Sequence, residues 1–242
     1  MDWTDEAIIL NVRPHGEGHA VACVFTGEHG AWNGLVFGGA GRRMSPILQP
    51  GNRVRAQWRG RTEDALGHFS IELLSADAAK LMGERLSLTG LSAACAVASA
   101  CLPEREVHQG PYEALKVLIS TLEHIEVWPA LMARWELGLL SDIGFGLTLD
   151  RCAATGARDE LIYVSPKSAS AVSASAGEAY KDRLLPLPGF LGGTSHDASL
   201  SDAIDGLTTT GHFIETRILH LANKTLPDAR IRVIDLLRLQ LD

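Results

Sequence analysis

Alternation of apolar and polar positions dominates the first third of the chain. In Arg53-Val54-Arg55-Ala56-Gln57-Trp58-Arg59-Gly60-Arg61, apolar Val54, Ala56 and Trp58 take one parity and polar residues the other. A strand sends successive side chains to opposite faces, so Val54, Ala56 and Trp58 are expected in a core, with Arg53, Arg55, Gln57, Arg59 and Arg61 outside it. The run His68 to Leu74 follows the same rule, Phe69, Ile71 and Leu73 being set against His68, Ser70 and Glu72. Together with Ala7 to Arg13, His19 to Thr26 and Ala31 to Phe37, each bounded by glycine or proline turns, Arg53 to Arg59 and His68 to Leu74 make five predicted strands. So small a set must hide its edges. A five-stranded barrel of the OB-fold type does that, and an SH3-like barrel fits the strand count nearly as well.

From Ala76 the period becomes that of helices. Ala76 to Leu102 is rich in alanine and leucine and is expected to break near Gly83 and Gly90. Pro111 opens a helix in which Tyr112, Leu115, Leu118, Ile119, Leu122 and Ile125 recur at spacings of three and four. Trp128-Pro129 opens another, with Leu131, Met132, Trp135, Leu139 and Ile143 on its stripe and Gly144 at its end. Leu161 to Val164 predicts a short strand, Ser165 to Ser175 a turn or mobile loop, and Leu184 to Leu200 a connection. Two further helices are expected at Gly211 to Asn223 and Pro227 to Leu241, the last amphipathic, with Arg230, Arg232 and Arg238 interrupting its apolar positions. The fold class is α+β: a barrel over residues 1–77, then a mainly helical part over 78–242.

Charge sharpens this picture. The chain of 242 residues has a formal net charge of −7, yet Arg42, Arg43, Arg53, Arg55, Arg59 and Arg61 fall between Gly38 and Arg61 with no acidic residue among them. Guanidinium groups stay charged and match phosphate oxygens two at a time, so such a row suits a polyanion; the alternative is a solvated edge strand kept from aggregating by its charge. The overall acidity does not exclude nucleic acid, because the local field decides what a groove attracts. Trp32 and Trp58 are candidate stacking surfaces, with Trp58 sharing the parity of the core. The glycines of Gly38-Gly39-Ala40-Gly41 let backbone amides approach a ligand, but the Lys-Ser/Thr pair of a phosphate-binding P-loop is missing and a flexible loop is the nearer reading.

Acids at Asp2, Asp5 and Glu6 stand where an export signal needs basic residues, and the longest apolar stretch, Leu91 to Leu102, is too short to span a bilayer. A cytoplasmic protein without membrane contact is expected. Cys23, Cys95, Cys101 and Cys152 form no CxxC pair and read as buried free thiols. His15 and His19 are separated by two glycines, and neither HExxH nor GxSxG occurs. No nucleophile, base and oxyanion donor assemble, so a binding protein with no catalytic residue, metal or cofactor is expected.

Specific runs carry a family likeness. Ile8-Ile9-Leu10-Asn11-Val12-Arg13-Pro14-His15-Gly16-Glu17, Glu28-His29-Gly30, Gly38-Gly39-Ala40-Gly41-Arg42-Arg43, Leu48-Gln49-Pro50-Gly51 and Glu72-Leu73-Leu74 resemble the N-terminal barrel of the RecO family of recombination mediators. Leu102-Pro103-Glu104-Arg105-Glu106, Arg134-Trp135-Glu136-Leu137, Asp142-Ile143-Gly144-Phe145-Gly146-Leu147, Asp150-Arg151-Cys152 and Tyr163-Val164-Ser165-Pro166-Lys167-Ser168 extend the resemblance over nearly the whole chain. It implies an N-terminal OB-fold, a helical domain and a small inserted strand and loop element, here residues 150–195. It also implies binding of single- and double-stranded DNA, annealing of complementary strands, contact with the acidic C-terminal tail of single-strand binding protein, and recombinase loading with RecR. Some members carry a four-cysteine zinc site in the inserted element; this chain has only Cys152 there, so no zinc is expected and packing must hold the element. On this reading Arg42, Arg43, Arg53, Arg55, Arg59, Arg61 and Trp32 are the candidate DNA-binding residues. Arg134, with Met132 or Leu139 lining a groove, is the candidate grip for an acidic peptide. An adaptor that works mainly through its helical part, with incidental DNA contact, is the alternative.

Overall fold

The computed structural model describes residues 1–62, 64–192, 195 and 197–241. Gly193, Thr194 and His196 of the connection expected at Leu184 to Leu200 therefore lie outside the described residues, as do Glu63 and Asp242. The chain divides by packing into two compact units, Met1–Leu122 and Glu123–Asp242.

The first unit is built on a closed barrel of β1 (Asp2–His15), β2 (His19–Thr26), β3 (Gly30–Val36), β4 (Arg53–Arg59) and β5 (His68–Ser75). The strand order is β1-β2-β3-β5-β4, and β4 closes on β1; β3 and β5 run parallel and the other neighbours antiparallel. This is the OB-fold arrangement, in which closure leaves no open edge. Val24, Trp32, Val54, Ala56, Trp58 and Phe69 fill the interior. Trp58 is fully buried and donates its indole N–H to the Leu66 carbonyl at 3.0 Å, which satisfies the one polar group its burial would otherwise strand.

β1 starts at Asp2, well before the Ala7 expected from its apolar run. The ladder with β4 extends it: Asp2 lies opposite Arg59 and Glu6 opposite Arg55, so acids that read as a solvated terminus belong to a strand. From Ala7 to Leu10 every residue is buried and the alternation vanishes. The inner face meets the barrel core there, while helix α2 packs on the strand from outside.

A one-turn helix α1 (Asp77–Lys80) leads into α2 (Arg85–Cys101). Gly90 lies inside α2 and is buried, so the break expected there does not occur; the one near Gly83 does. The helix comes so close to the barrel that a Cβ on Gly51, whose φ is +89°, would lie 2.4 Å from the Leu91 side chain. Buried Asn52 ties this corner together. Its amide donates to the carbonyls of Pro46 and Ile47, and its Oδ1 accepts from the Ala78 amide at 3.1 Å. Helix α3 (Gln109–Thr121) completes the unit, Tyr112 donating its hydroxyl to the Glu6 carbonyl at 3.0 Å.

The second unit opens with α4 (Trp128–Asp142), which carries Pro129 in its first turn. The stretch expected to be a turn or mobile loop instead forms a hairpin. β6 (Leu161–Ser165) pairs with β7 (Ser170–Ser173), and β8 (Leu185–Pro186) adds to the other side of β6. Ser-rich sequence hid the strand, but Ala171, Val172 and Ser173 are all buried. Short helices α5 (Ala174–Gly177) and α6 (Gly189–Gly192) follow. Helix α7 (Leu200–Phe213) begins eleven residues before the expected Gly211, at a capping box in which the Ser199 hydroxyl accepts from the Asp202 amide and Asp202 accepts from the Ser199 amide. A π turn, Ile214–Ile218, and a 3-10 turn, Leu219–Ala222, prolong it.

α8 (Asp228–Arg238) corrects the reading of a simple amphipathic terminal helix. Arg230 is fully buried and grips Glu136 of α4 with two bonds, Nε to Oε1 at 2.5 Å and an Nη2 bond to Oε2 at 2.8 Å. Thr210 of α7 donates its hydroxyl to the same carboxylate, and Arg230 donates again to the Leu207 carbonyl. One ion pair thus links three helices.

Candidate nucleic-acid interface

β4 displays its arginines as the alternation requires. Arg53, Arg55 and Arg59 are exposed between buried Val54, Ala56 and Trp58. Arg61 lies past the end of the strand, so the regular row ends at Arg59. The neighbouring strands put carboxylates on the same outer face. Arg53 donates to Asp77 at 2.8 Å, and Arg55 to Glu72 at 3.2 Å. Opposite residues share a face, so Glu6 also flanks Arg55, and Asp2 flanks Arg59. The ridge is therefore partly neutralised at its Arg53–Arg55 end.

Asp77 is the stronger of these partners. Its side chain is mostly buried and also accepts from Lys80 and from the Ser75 hydroxyl. Burial pushes its carboxyl up, but the hydrogen bonds from Arg53, Lys80 and Ser75 outweigh this and hold it below the usual carboxylate range. Arg53 is a structural clamp between β4 and the start of α1 as much as a surface charge.

The other end of the surface differs. Arg42 and Arg43 stand exposed on the turn after β3, and Arg59 and Arg61 are exposed at the end of β4. Among the described residues none of these four makes an ion pair or a side-chain hydrogen bond. Their charge is available to a partner.

Trp32 belongs to an aromatic cluster at one mouth of the barrel and is only 6% exposed. Trp3 and Trp58 pack edge-on or tilted against it at 5.5 and 5.1 Å, and the Arg105 guanidinium lies over its ring at 4.9 Å. Packed in this cluster, it has little outward surface to offer a stacked base. A cavity of about 510 Å³ opens here, bordered by Trp3, His29, Trp32, Arg105, Asp2 and Glu28. Among the described residues, the side-chain donor atoms of Asp5, Glu28 and His29 lie within 4.8 Å of one another. His29 stacks on Trp3 at 4.3 Å and faces Asp5 at 3.5 Å, an arrangement that holds the β2–β3 turn to β1.

In the second unit, Arg134 is exposed on α4 and donates to the Phe190 carbonyl at 2.9 Å. It borders a cavity of about 310 Å³ with Val127, Ala130, Leu131, Phe190 and two acids, Glu126 and Asp197. Met132 and Leu139 do not line it, because both are fully buried on the opposite side of the helix. Leu131 and Ala130 take the positions expected of them.

The single cysteine of the inserted element is hydrogen-bonded to β7. Cys152 is buried, and its sulfur accepts from the Ser173 amide at 3.3 Å and the Ser173 hydroxyl at 3.5 Å, while its own amide bonds to Ala157. These bonds join the turn from Cys152 to Ala157 to β7. One sulfur with hydroxyl neighbours does not furnish the ligand set of a structural zinc site.

A closed five-stranded barrel with unpaired arginines at the end of β4 and on the turn after β3, followed by a mainly helical unit, defines the architectural class. Comparison with known proteins gives the family. The family model for the Recombination protein O N terminal matches residues 1–76, and that for the Recombination protein O C terminal matches residues 82–227. The chain belongs to the RecO family. It is 48% identical over 235 residues to the DNA repair protein RecO of Methylobacterium nodulans, covering 95% of each chain. It is 48% identical over 237 residues to that of Rhodospirillum centenum, covering 97% of this chain and 94% of the relative. To that of Caulobacter vibrioides it is 47% identical over 235 residues, covering 97% of both.

Proposed function

We propose that this protein acts in DNA repair as a mediator that binds DNA through its barrel, anneals complementary single strands, and helps load recombinase onto strands covered by single-strand binding protein. The observation that carries this reading is the set of four exposed arginines, Arg42, Arg43, Arg59 and Arg61, without a carboxylate partner among the described residues, on a barrel of the RecO family. Phosphates neutralised by these groups release counterions, and for single strands log K falls against log salt by about 0.7 per phosphate. Four contacts give a slope of about −3. Arg53 and Arg55 contribute less, since binding there has to displace Asp77 and Glu72.

Annealing needs no covalent step. A surface that screens the phosphates of two strands lowers their repulsion and raises their local concentration. Phosphate contacts carry little base information, so sequence preference is slight for single- and double-stranded DNA alike. Among the described residues no helix is long and apolar enough to cross a membrane, which fits a partner in the cytoplasm. The decisive experiment measures oligonucleotide affinity across a salt series, then strand annealing, for wild type and for the four-arginine alanine variant.

A second reading concerns the helical unit. Arg134, beside the apolar side chains of Val127, Ala130 and Leu131, suits a peptide ending in an acidic and hydrophobic tail, as that of single-strand binding protein does. Titration of such a labelled peptide against wild type and Arg134→Ala tests it, equal affinities removing Arg134 from the site. RecR is expected to join the complex through a face to be mapped by the same titration with RecR present.

A further inference from the structure

Phe37 lies one residue past β3 with its side chain on the outside of the barrel, 60% exposed. It is not isolated there. His19, the first residue of β2, meets its ring edge-on, with centroids 5.4 Å apart at 90°. His68, the first residue of β5, lies at 5.6 Å and 52°. His68 in turn stands directly opposite Arg59 of β4. The barrel order β2-β3-β5-β4 therefore strings His19, Phe37, His68 and Arg59 across four adjacent strands.

The surroundings are fixed in place. His19 Nδ1 accepts the Gly38 amide at 3.1 Å, and the Ala40 amide donates to the Gly18 carbonyl at 3.2 Å, which fastens the turn after Phe37 to the β1–β2 connection. Exposed Arg42 and Arg43 follow on that turn. Acids stand near the arc along the chain: Glu17 in the β1–β2 connection, Asp2 opposite Arg59, and Asp64 between Arg61 and His68, its carboxylate paired with Arg105 at 3.4 Å. Scattered exposed apolar residues are ordinary on a protein surface. A phenyl ring braced by two imidazoles, with unpaired guanidinium groups opposite one of them on β4 and on the turn that follows the ring, is a different arrangement. It joins an aromatic face to a phosphate-tracking charge, the combination that receives single-stranded nucleic acid.

We infer that Phe37, braced by His19 and His68, is a stacking platform for an unpaired base, with Arg42, Arg43 and Arg59 holding the phosphates on either side. This rests on the reading of the barrel as DNA-binding, and adds to it a preference for single strands. Bases inside a duplex are already stacked on both faces and offer none to the ring.

The test compares three labelled probes of equal length: oligodeoxythymidylate, the same backbone made of abasic residues, and a duplex. The proteins are wild type, Phe37→Ala, Phe37→Trp and the Arg42/Arg43/Arg59/Arg61→Ala variant. Phe37 is exposed, so its substitution is expected to leave the melting temperature unchanged. Phe37→Ala should lose about tenfold or more in affinity for oligodeoxythymidylate, and nothing for the abasic or duplex probe. Phe37→Trp should keep the affinity and show fluorescence quenching on binding. Equal affinities of wild type and Phe37→Ala for oligodeoxythymidylate, or an equal loss on the abasic strand, would overturn the platform while the arginine variant still reports on the charge surface. No binding by wild type, or no change in the arginine variant, would instead strike the underlying DNA reading.

Discussion

Arg53 donates from Nε to Asp77 Oδ2 at 2.8 Å, and this single bond separates two kinds of arginine on one surface. Asp77 is nearly buried at the start of α1, so Arg53 fixes the barrel to the helix that follows it. Arg42, Arg43, Arg59 and Arg61 have no such duty among the described residues. Replacing Arg53 is expected to lower stability, whereas replacing the other four is expected to lower affinity for DNA. Thermal melts and binding isotherms on Arg53→Ala and Arg42/Arg43→Ala check the division. A melting temperature lowered by Arg42/Arg43→Ala and not by Arg53→Ala would reverse the assignment.

Acid should release the same clamp. Asp77 has its carboxyl held down in the folded state by Arg53, Lys80 and Ser75. A depressed folded value stabilises the protein above the unfolded carboxyl range and is lost as pH falls through the folded value. Stability of the first unit is therefore expected to decline below about pH 4. In Asp77→Asn that part of the pH dependence disappears. Urea melts at neutral pH and at pH 3 on both proteins provide the measurement.

Glu136 and Arg230 are each fully buried, and neither has water to fall back on. Removing one partner of such a pair leaves a buried charge alone and costs about 3–5 kcal/mol. Glu136→Ala and Arg230→Ala are both expected to lose that amount, with the double substitution costing less than the sum. A double-mutant cycle by chemical denaturation gives the coupling, and strict additivity would show that the two residues act independently.

Two glycines in left-handed conformations should respond unequally to alanine. Gly16 has φ +56° with open space around it, so Gly16→Ala is expected to cost about 1–2 kcal/mol of backbone strain. Gly30 has φ +69°, and a Cβ there would collide with the Glu106 carbonyl at 1.8 Å. Gly30→Ala must also break the approach of that segment to β3, where the Arg105 amide bonds to the Ala31 carbonyl at 2.8 Å. Denaturation curves should therefore show a much larger loss for Gly30→Ala.

The barrel was largely legible because one of its faces is solvated. Arg53–Arg59 has the limits that its alternation predicts, and His19–Thr26 those that its flanking glycines predict. Where burial is two-sided the signal disappears, as at Ala7–Leu10 under α2, and where a strand end is solvated and acidic it misleads, as at Asp2–Glu6. The helical unit was less readable. A buried arginine in α8 looks like a solvated one until its partner on α4 is known, and a serine-rich hairpin looks like a loop. The charge of the candidate site was visible in the sequence, but its division was not. Which arginines are free depends on carboxylates such as Asp77 and Glu72 that strand pairing brings across. Phe37 gave no periodic signal of its own, since its meaning comes from His19 and His68 on neighbouring strands.

The most direct test is the salt dependence of affinity for a labelled single-stranded oligonucleotide. For wild type the slope of log K against log salt is expected near −3. It should fall to less than half of that in Arg42/Arg43/Arg59/Arg61→Ala, with annealing lost in parallel and the melting temperature kept. An unchanged slope and affinity in that variant, with the fold intact, would contradict the assignment of DNA binding to this corner of the barrel.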